Sequence, residues 1–235
     1  MEAAKIKVPI LSELLGEVPV GRSILVLHDP DSQSNMFLLN IFSEYLQADE
    51  NAVFATSTRS PSDVRQDLRR MGFDLAKYEV KDTALLFDAY TIQMGKKSPE
   101  KYHAETLNLN ELSLAIAQSA PSWPPRTLNI FDSLSAIAVG QEAVFGRFYR
   151  KFMITWKAYG AILINGIASG VHPSNLYEEL KLISDGVIEI KLAEHQGEIV
   201  NTVRARSMKG QNVDTHTRRI AFDSRMKVSL EPISS

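Results

Sequence analysis

Short continuous apolar runs alternate along this chain with longer stretches of helical spacing. Residues 24–27 (ILVL) are apolar without a break, the pattern of a strand buried on both faces of a parallel sheet. From Asn35, the apolar positions Met36, Leu38, Leu39, Phe42, Tyr45 and Leu46 recur at helical spacing. Residues 52–56 (AVFAT) predict a second strand, and Ser60-Pro61 predicts a capped helix that runs to Met71 and stops at Gly72. A third strand falls at 84–89, a helix at 108–120 closed by the proline-rich 121–125, and a fourth strand at 127–131 that ends in Asp132. A long helix follows over 141–159, then a strand at 161–165 and a loop over 166–175. Residues 186–192, 199–205 and 216–222 alternate like strands of an antiparallel edge. Residues 93–106 are polar and turn-rich, which predicts an exposed loop. Strands alternating with helices predict an α/β fold: a mostly parallel central sheet flanked by helices, with an antiparallel C-terminal extension.

The 235 residues are 44% hydrophobic, enough for one core, so a single domain over 1–235 is expected, with 1–22 as a lead-in segment. A net charge of −2 supplies no global field for nucleic acid or membrane. With no cysteine there are no disulfides, thiolate metal sites or cysteine nucleophiles. No apolar run reaches the length of a signal peptide or membrane span, so a cytoplasmic protein is expected. Five histidines (His28, His103, His172, His195 and His216) lack metal-ligand spacing, and no metal is expected.

The strand–loop–helix at 24–46 has the layout of a phosphate-binding loop but not its residues. Such a loop reads G-x-x-x-x-G-K-[ST]: backbone N–H groups cradle phosphates, the lysine reaches the outer ones, and the hydroxyl holds Mg²⁺. Here His28 stands in the first glycine slot, Gln33 in the second, Ser34 in the lysine slot and Asn35 in the hydroxyl slot. Asp29 and Asp31 add negative charge with no lysine to offset it. One like-charge pair at about 4 Å costs about 1 kcal/mol in water and about 4 kcal/mol at an effective dielectric of about 20. The helix dipole returns only ~0.3–2 kcal/mol. Repulsion wins, and weak or absent ATP binding is expected. Asp31 and Ser32 also read simply as capping and turn residues.

Asp132-Ser133-Leu134-Ser135 after an apolar strand resembles the KaiC-like branch of the RecA superfamily of ATPases, in a degenerate archaeal-type form. Supporting stretches follow in order: 56–68 (TSTRSPSDVRQDL), Gly72-Phe73-Asp74-Leu75, Phe87-Asp88-Ala89-Tyr90, Asn110-Glu111-Leu112, 184–188 (SDGVI) and Met208-Lys209-Gly210. The resemblance covers about residues 10–230 and implies a RecA-like fold, with Asp132 at the position of the Mg²⁺-coordinating carboxylate. It also implies two acidic residues that activate water; Thr58 and Arg59 stand there instead. A late basic motif that reaches a neighbouring subunit's phosphates reads Ser207-Met208-Lys209-Gly210, leaving Ser207 and Lys209 as the candidate subunit contact.

The expected function is therefore non-catalytic: a pseudo-ATPase, without cofactor, that regulates or scaffolds by assembling with itself or with an active KaiC/RecA-family ATPase. One alternative is a divergent ATPase with Asp132 and Asn35 on Mg²⁺ and ATP. Another is a recombination or DNA-repair accessory protein. Nucleic-acid binding is disfavoured because the segments 136–143 and 166–175 contain no lysine or arginine. The basic residues among 201–227 read as solvated strand faces or an interface, and Trp123 as a partner anchor or as packing against its own core.

Overall fold

A computed structural model describes residues 5–6, 8–119 and 123–233. Of the expected helix at 108–120 and the proline-rich 121–125 that closes it, residues 120–122 lie outside these residues. The elements in chain order are β1 (Lys5–Ile6), α1 (Pro9–Leu15), β2 (Val18–Pro19), β3 (Ser23–His28), α2 (Ser34–Gln47), β4 (Ala52–Thr56), α3 (Pro61–Arg70), α4 (Ala76–Glu79), β5 (Ala84–Asp88) and β6 (Tyr102–His103). They continue as α5 (Leu109–Ser119), β7 (Leu128–Phe131), α6 (Ser135–Ala138), α7 (Glu142–Ala158), β8 (Ile162–Ala168), α8 (Ser174–Ile183), β9 (Gly186–His195), β10 (Glu198–Met208), β11 (Arg218–Phe222) and β12 (Val228–Pro232).

Ten strands form one sheet in the order β12-β11-β10-β9-β3-β8-β7-β4-β5-β6, and β1 pairs with β2 apart from it. The run from β9 to β6 is parallel, while β9 to β12 is antiparallel. All six residues of β3 are buried, as a strand covered on both faces requires. One face packs on α1, α2 and α3 through Leu11, Phe37, Phe42 and Leu68. The other packs on α5, α7 and α8 through Leu112, Phe145, Tyr149 and Leu180. The mostly parallel α/β sheet with its antiparallel extension is as expected.

Several expectations are corrected. Residues 93–106 are not simply a loop, because Tyr102–His103 pair with Phe87 and Asp88 as the edge strand. Arg65 ties this segment to α4, with bonds of 2.6 Å to Glu100 and 2.7 Å to Glu79. The expected loop 166–175 is shorter, since β8 runs through Ala168 and α8 begins at Ser174. The segment 136–143 holds most of α6 and the start of α7. Ser60 caps α3 in a reciprocal box with Asp63, and Gly72 follows in the left-handed region at φ +75°.

At the N-terminal ends of β3 and β9, the buried Asp185 accepts from Ser23 N (3.0 Å), Ser23 Oγ (2.8 Å) and Arg22 (3.2 Å), and pairs with Lys157 of α7. Burial resists its ionisation, but the bonds from Lys157 and Ser23 outweigh this and hold the carboxyl below its usual range. Asp88 behaves alike. Burial opposes its charge, and bonds from Ser98, Thr91 and two backbone N–H groups overcome that. A carboxylate with a depressed folded-state pKa stabilises the fold above its unfolded pKa of about 4 and loses that contribution as pH falls toward the folded value. The urea midpoint should therefore drop as pH is lowered below about 4, and Asp185→Asn should flatten that slope.

Gly166 sits where β8 passes the end of β7, and a Cβ there would lie 2.1 Å from the Asp132 carbonyl oxygen. The position of a Cβ is fixed by its own main chain and the oxygen belongs to the main chain, so neither can swing aside. Gly166→Ala should cost about 1–3 kcal/mol or more in urea unfolding; an unchanged midpoint would contradict this.

Candidate functional site

The loop after β3 and the end of β7 both lie at the C-terminal ends of the parallel strands. That is where open α/β sheets present ligand crevices. The loop is stitched down by the main chain. Asp29 N donates to Ile190 O (3.0 Å), and Leu192 N donates to the Asp29 carboxylate (2.9 Å). Ser32 donates through both its N–H (3.0 Å) and its hydroxyl (2.7 Å) to Asp29 O, a turn role, while Asp31 and Gln33 are exposed. The Gln33 N–H donates to Asn201 Oδ1 of β10 at 2.8 Å. No residue from 28 to 35 has positive φ. An anion nest of alternating right- and left-handed residues is therefore not formed here. Helix α2 starts at Ser34, which is buried, and Asn35 is half-buried.

His28 points into the protein and is 6% exposed. Its Nδ1 lies 3.2 Å from Asp29 O, and its Nε2 is buried without a partner. Burial pushes its pKa below the ordinary value, against the opposing pull of the Asp29 carbonyl and the Asp132 and Asp29 charges. The imidazole is thus neutral at pH 7.

Asp132 is fully buried. Its carboxylate accepts from the N–H groups of Ser133 (2.6 Å), Ser57 (2.9 Å) and Thr58 (3.3 Å), and from Thr58 Oγ1 (2.6 Å). The hydroxyls of Ser57 (3.0 Å) and Thr56 (3.1 Å) are also in reach. Each has a shorter alternative, Ser133 O at 2.5 Å and Arg59 O at 2.7 Å. Four donors are therefore committed, and a carboxylate offers about four lone-pair sites. Asp132 fastens the end of β7 to the segment after β4.

The structure thus brings Thr58 and Asp132 into direct contact. Arg59 turns away and pairs with Asp67 of α3, leaving Nε and Nη2 buried without partners. Ser207 and Lys209 lie elsewhere: Met208 pairs with Gly186 at the start of β9, whereas the loop meets β9 at Ile190 and Leu192. Lys209 is exposed, and its Nζ donates to Leu182 O at the end of α8 (2.8 Å). The neighbouring basic side chains are largely engaged. Arg204 and Arg206 each reach the buried Glu189 at 2.7 Å, and Arg218 pairs with Glu13 and Asp214. Among the described residues, no group of three or more His, Asp or Glu side chains is arranged to hold a metal ion, and no helix is long and apolar enough to cross a membrane. The sequence reading missed Asn201, and it quoted Asp185 within 184–188 without assigning it a role. Nothing local marks Asn201, which acts on Gln33 across 168 positions.

Residues 4–227 match the family described as "ATPase: KaiC". The chain belongs to the KaiC family of ATPases. Its RecA-like α/β fold is the one this membership implies. Among similar proteins, UPF0273 protein PF1931 of Pyrococcus furiosus is 23% identical over 211 residues, covering 88% of this chain and 85% of the relative. UPF0273 protein PH0284 of Pyrococcus horikoshii is 23% identical over 224 residues, covering 93% and 89%. The circadian clock protein KaiC3 of Synechocystis is 30% identical over 74 residues, covering 32% of this chain and 15% of that protein.

Thr58 stands where the KaiC resemblance implies an acid, and its hydroxyl is spent on Asp132. Thr58→Val removes a hydrogen bond to a charged, buried group and should cost about 1.5–3 kcal/mol. Thr58→Glu, which restores an acid, adds like-charge repulsion and should cost more. Urea unfolding of both variants checks the order.

Proposed function

We propose that this protein is a non-catalytic member of the KaiC family, a pseudo-ATPase that acts as a regulatory or scaffolding subunit. The observation that carries this reading is the Asp132 carboxylate, whose four committed donors occupy the acceptor sites a Mg²⁺ would need. The loop supports it: the Gln33 N–H is already bonded to Asn201, and His28 and Gln33 occupy glycine slots. Mg-ATP does not fit this residue set, because the loop supplies two aspartates and no lysine. No reaction step is derived through it.

The remaining role is assembly, with further copies of the chain or with an active ATPase of the same family. Lys209 and Ser207 form the surface proposed for that contact, since both are exposed. Lys209 now donates to Leu182 O and would exchange that bond for an acceptor on a neighbour. Isothermal titration with Mg-ATP should show no binding tighter than about 1 mM, and phosphate release should stay at background. Micromolar binding with turnover abolished by Asp132→Ala overturns the proposal. Light scattering, alone and with a KaiC-family ATPase from the same cell, should show an assembly that Lys209→Glu weakens.

A further inference from the structure

The antiparallel extension is buried on one face only. Val203 and Ala205 of β10, Ile220 of β11 and Leu230 of β12 belong to the core under α1 and α2. The core under α5, α7 and α8 takes Val187 from β9 and no residue from β10, β11 or β12. Successive residues of a strand point to opposite faces, and residues paired across strands share a face. The register pairs Glu189 with Arg204, Lys191 with Thr202, Thr202 with Arg219, and Arg219 with Glu231. These side chains therefore stand on the second face, outside both cores.

The charge of this face runs against that of the chain. The whole protein carries −2, yet Lys191, Arg204, Arg206 and Arg219 gather here against Glu189 and Glu231. Arg206 lies at the bulge between Ala205 and Ser207 and joins the face through its 2.7 Å bond to Glu189. Burial resists ionisation of Glu189, but the bonds from Arg206 and Arg204 and the charge of Lys191 overcome this and keep it ionised at neutral pH. One carboxylate does not offset three cations. Arg204 spends Nε and Nη2 on one oxygen of Glu189, and Arg206 spends Nη1 on the other, out of five N–H donors on each guanidinium. Lys191 stands 4.0 Å from Glu189, and Arg219 has no ion pair with a described residue. The side chains of Lys191, Arg204 and Arg206 are 53%, 41% and 46% exposed, so their remaining donors face water.

The sign selects an anionic partner, and the side chains select its kind. Single-stranded nucleic acid is held by stacking on aromatic rings as well as by cations. Phe222, the one Phe, Tyr or Trp of β9–β12, packs on the α1 and α2 side instead. Carboxylates suit the face. The planar fork of arginine matches them, and Glu189 shows these two guanidinia holding one at 2.7 Å from either side. The same face of a second copy is excluded, because a two-fold contact would set cations against cations. Ser207 pairs with Val187 and so shares this face, which makes the surface continuous with the Ser207–Lys209 contact proposed for assembly.

We infer that this face is the docking surface for a carboxylate-rich segment of a partner protein, with Arg206, Arg204, Arg219 and Lys191 as its anchors. It gives the partner a chemistry, and it rests on the assembly reading only for the contact at Ser207 and Lys209.

The full chain is titrated with a labelled oligoglutamate peptide, an oligoglutamine peptide of equal length, and single- and double-stranded DNA of equal charge, each followed by fluorescence anisotropy. Oligoglutamate should bind saturably, weaken as salt is raised, and bind about tenfold or more tighter than the other probes. Lys191→Gln combined with Arg219→Glu should weaken it by about tenfold; neither side chain donates a hydrogen bond to Glu189, so the buried carboxylate keeps its bonds. Arg219→Glu alone gives the same reading, at a smaller loss, if the pair does not fold. Arg147→Glu combined with Lys151→Glu reverses two exposed cations on α7 and should leave the affinity within about twofold. Absence of saturable peptide binding, or DNA bound as tightly, overturns the acidic partner. Equal loss from the α7 pair overturns the location. Peptide binding lost with Lys191 and Arg219 in a chain that light scattering shows unassembled supports this surface and sinks the assembly reading alone.

Discussion

The architecture at the chemical end of the sheet depends on keeping one buried negative charge satisfied. An isolated carboxylate in a dry interior is among the most costly groups a protein can hold, and it persists only when its lone pairs are matched. Asp132 meets that condition with protein donors drawn from the segment after β4 and from its own turn. The consequence spreads outward. The segment from Ser57 to Ser60 is fixed in position, Ser60 is placed to cap α3, and Arg59 is directed to Asp67 on the same helix. One carboxylate organises the junction of β7, β4 and α3.

The loop after β3 follows the same logic with smaller terms. A strand-to-helix junction leaves several N–H groups without helical partners. In this protein those of Asp29, Ser32 and Gln33 are taken by Ile190, Asp29 and Asn201, so the corner is closed by its own chain. His28, neutral and buried, contributes bulk where a glycine would leave room. Membership of the KaiC family describes the frame, and these local bonds describe how the frame is completed at this corner.

Much of the frame was legible because it rests on periodicity. Residues 52–56 form β4 with the expected bounds, Ser60 caps α3, and the continuous run at 24–27 lies in the fully buried β3. The failures share a cause. Strand β6 is two residues long and exists only through its register with β5, which no local pattern encodes. Helix α8 did carry a signal in Leu176 and Leu180, both buried one turn apart, but it was masked by the loop expected before it. At the site, the identities of His28 and Gln33 depart from the residue pattern of a phosphate-binding loop, and Thr58 stands where the resemblance implies an acid. The bonds made there were invisible, because three of the four donors committed to Asp132 lie 74 to 75 positions away in sequence.

Asp185 marks the opposite end of the same strands. Its carboxylate joins Arg22, Ser23 and Lys157, and its carbonyl receives the N–H of Lys209. The parallel sheet is therefore fastened at both ends by separate charged clasps that share no residue. A fold held in this way tolerates drift at one end without loosening the other.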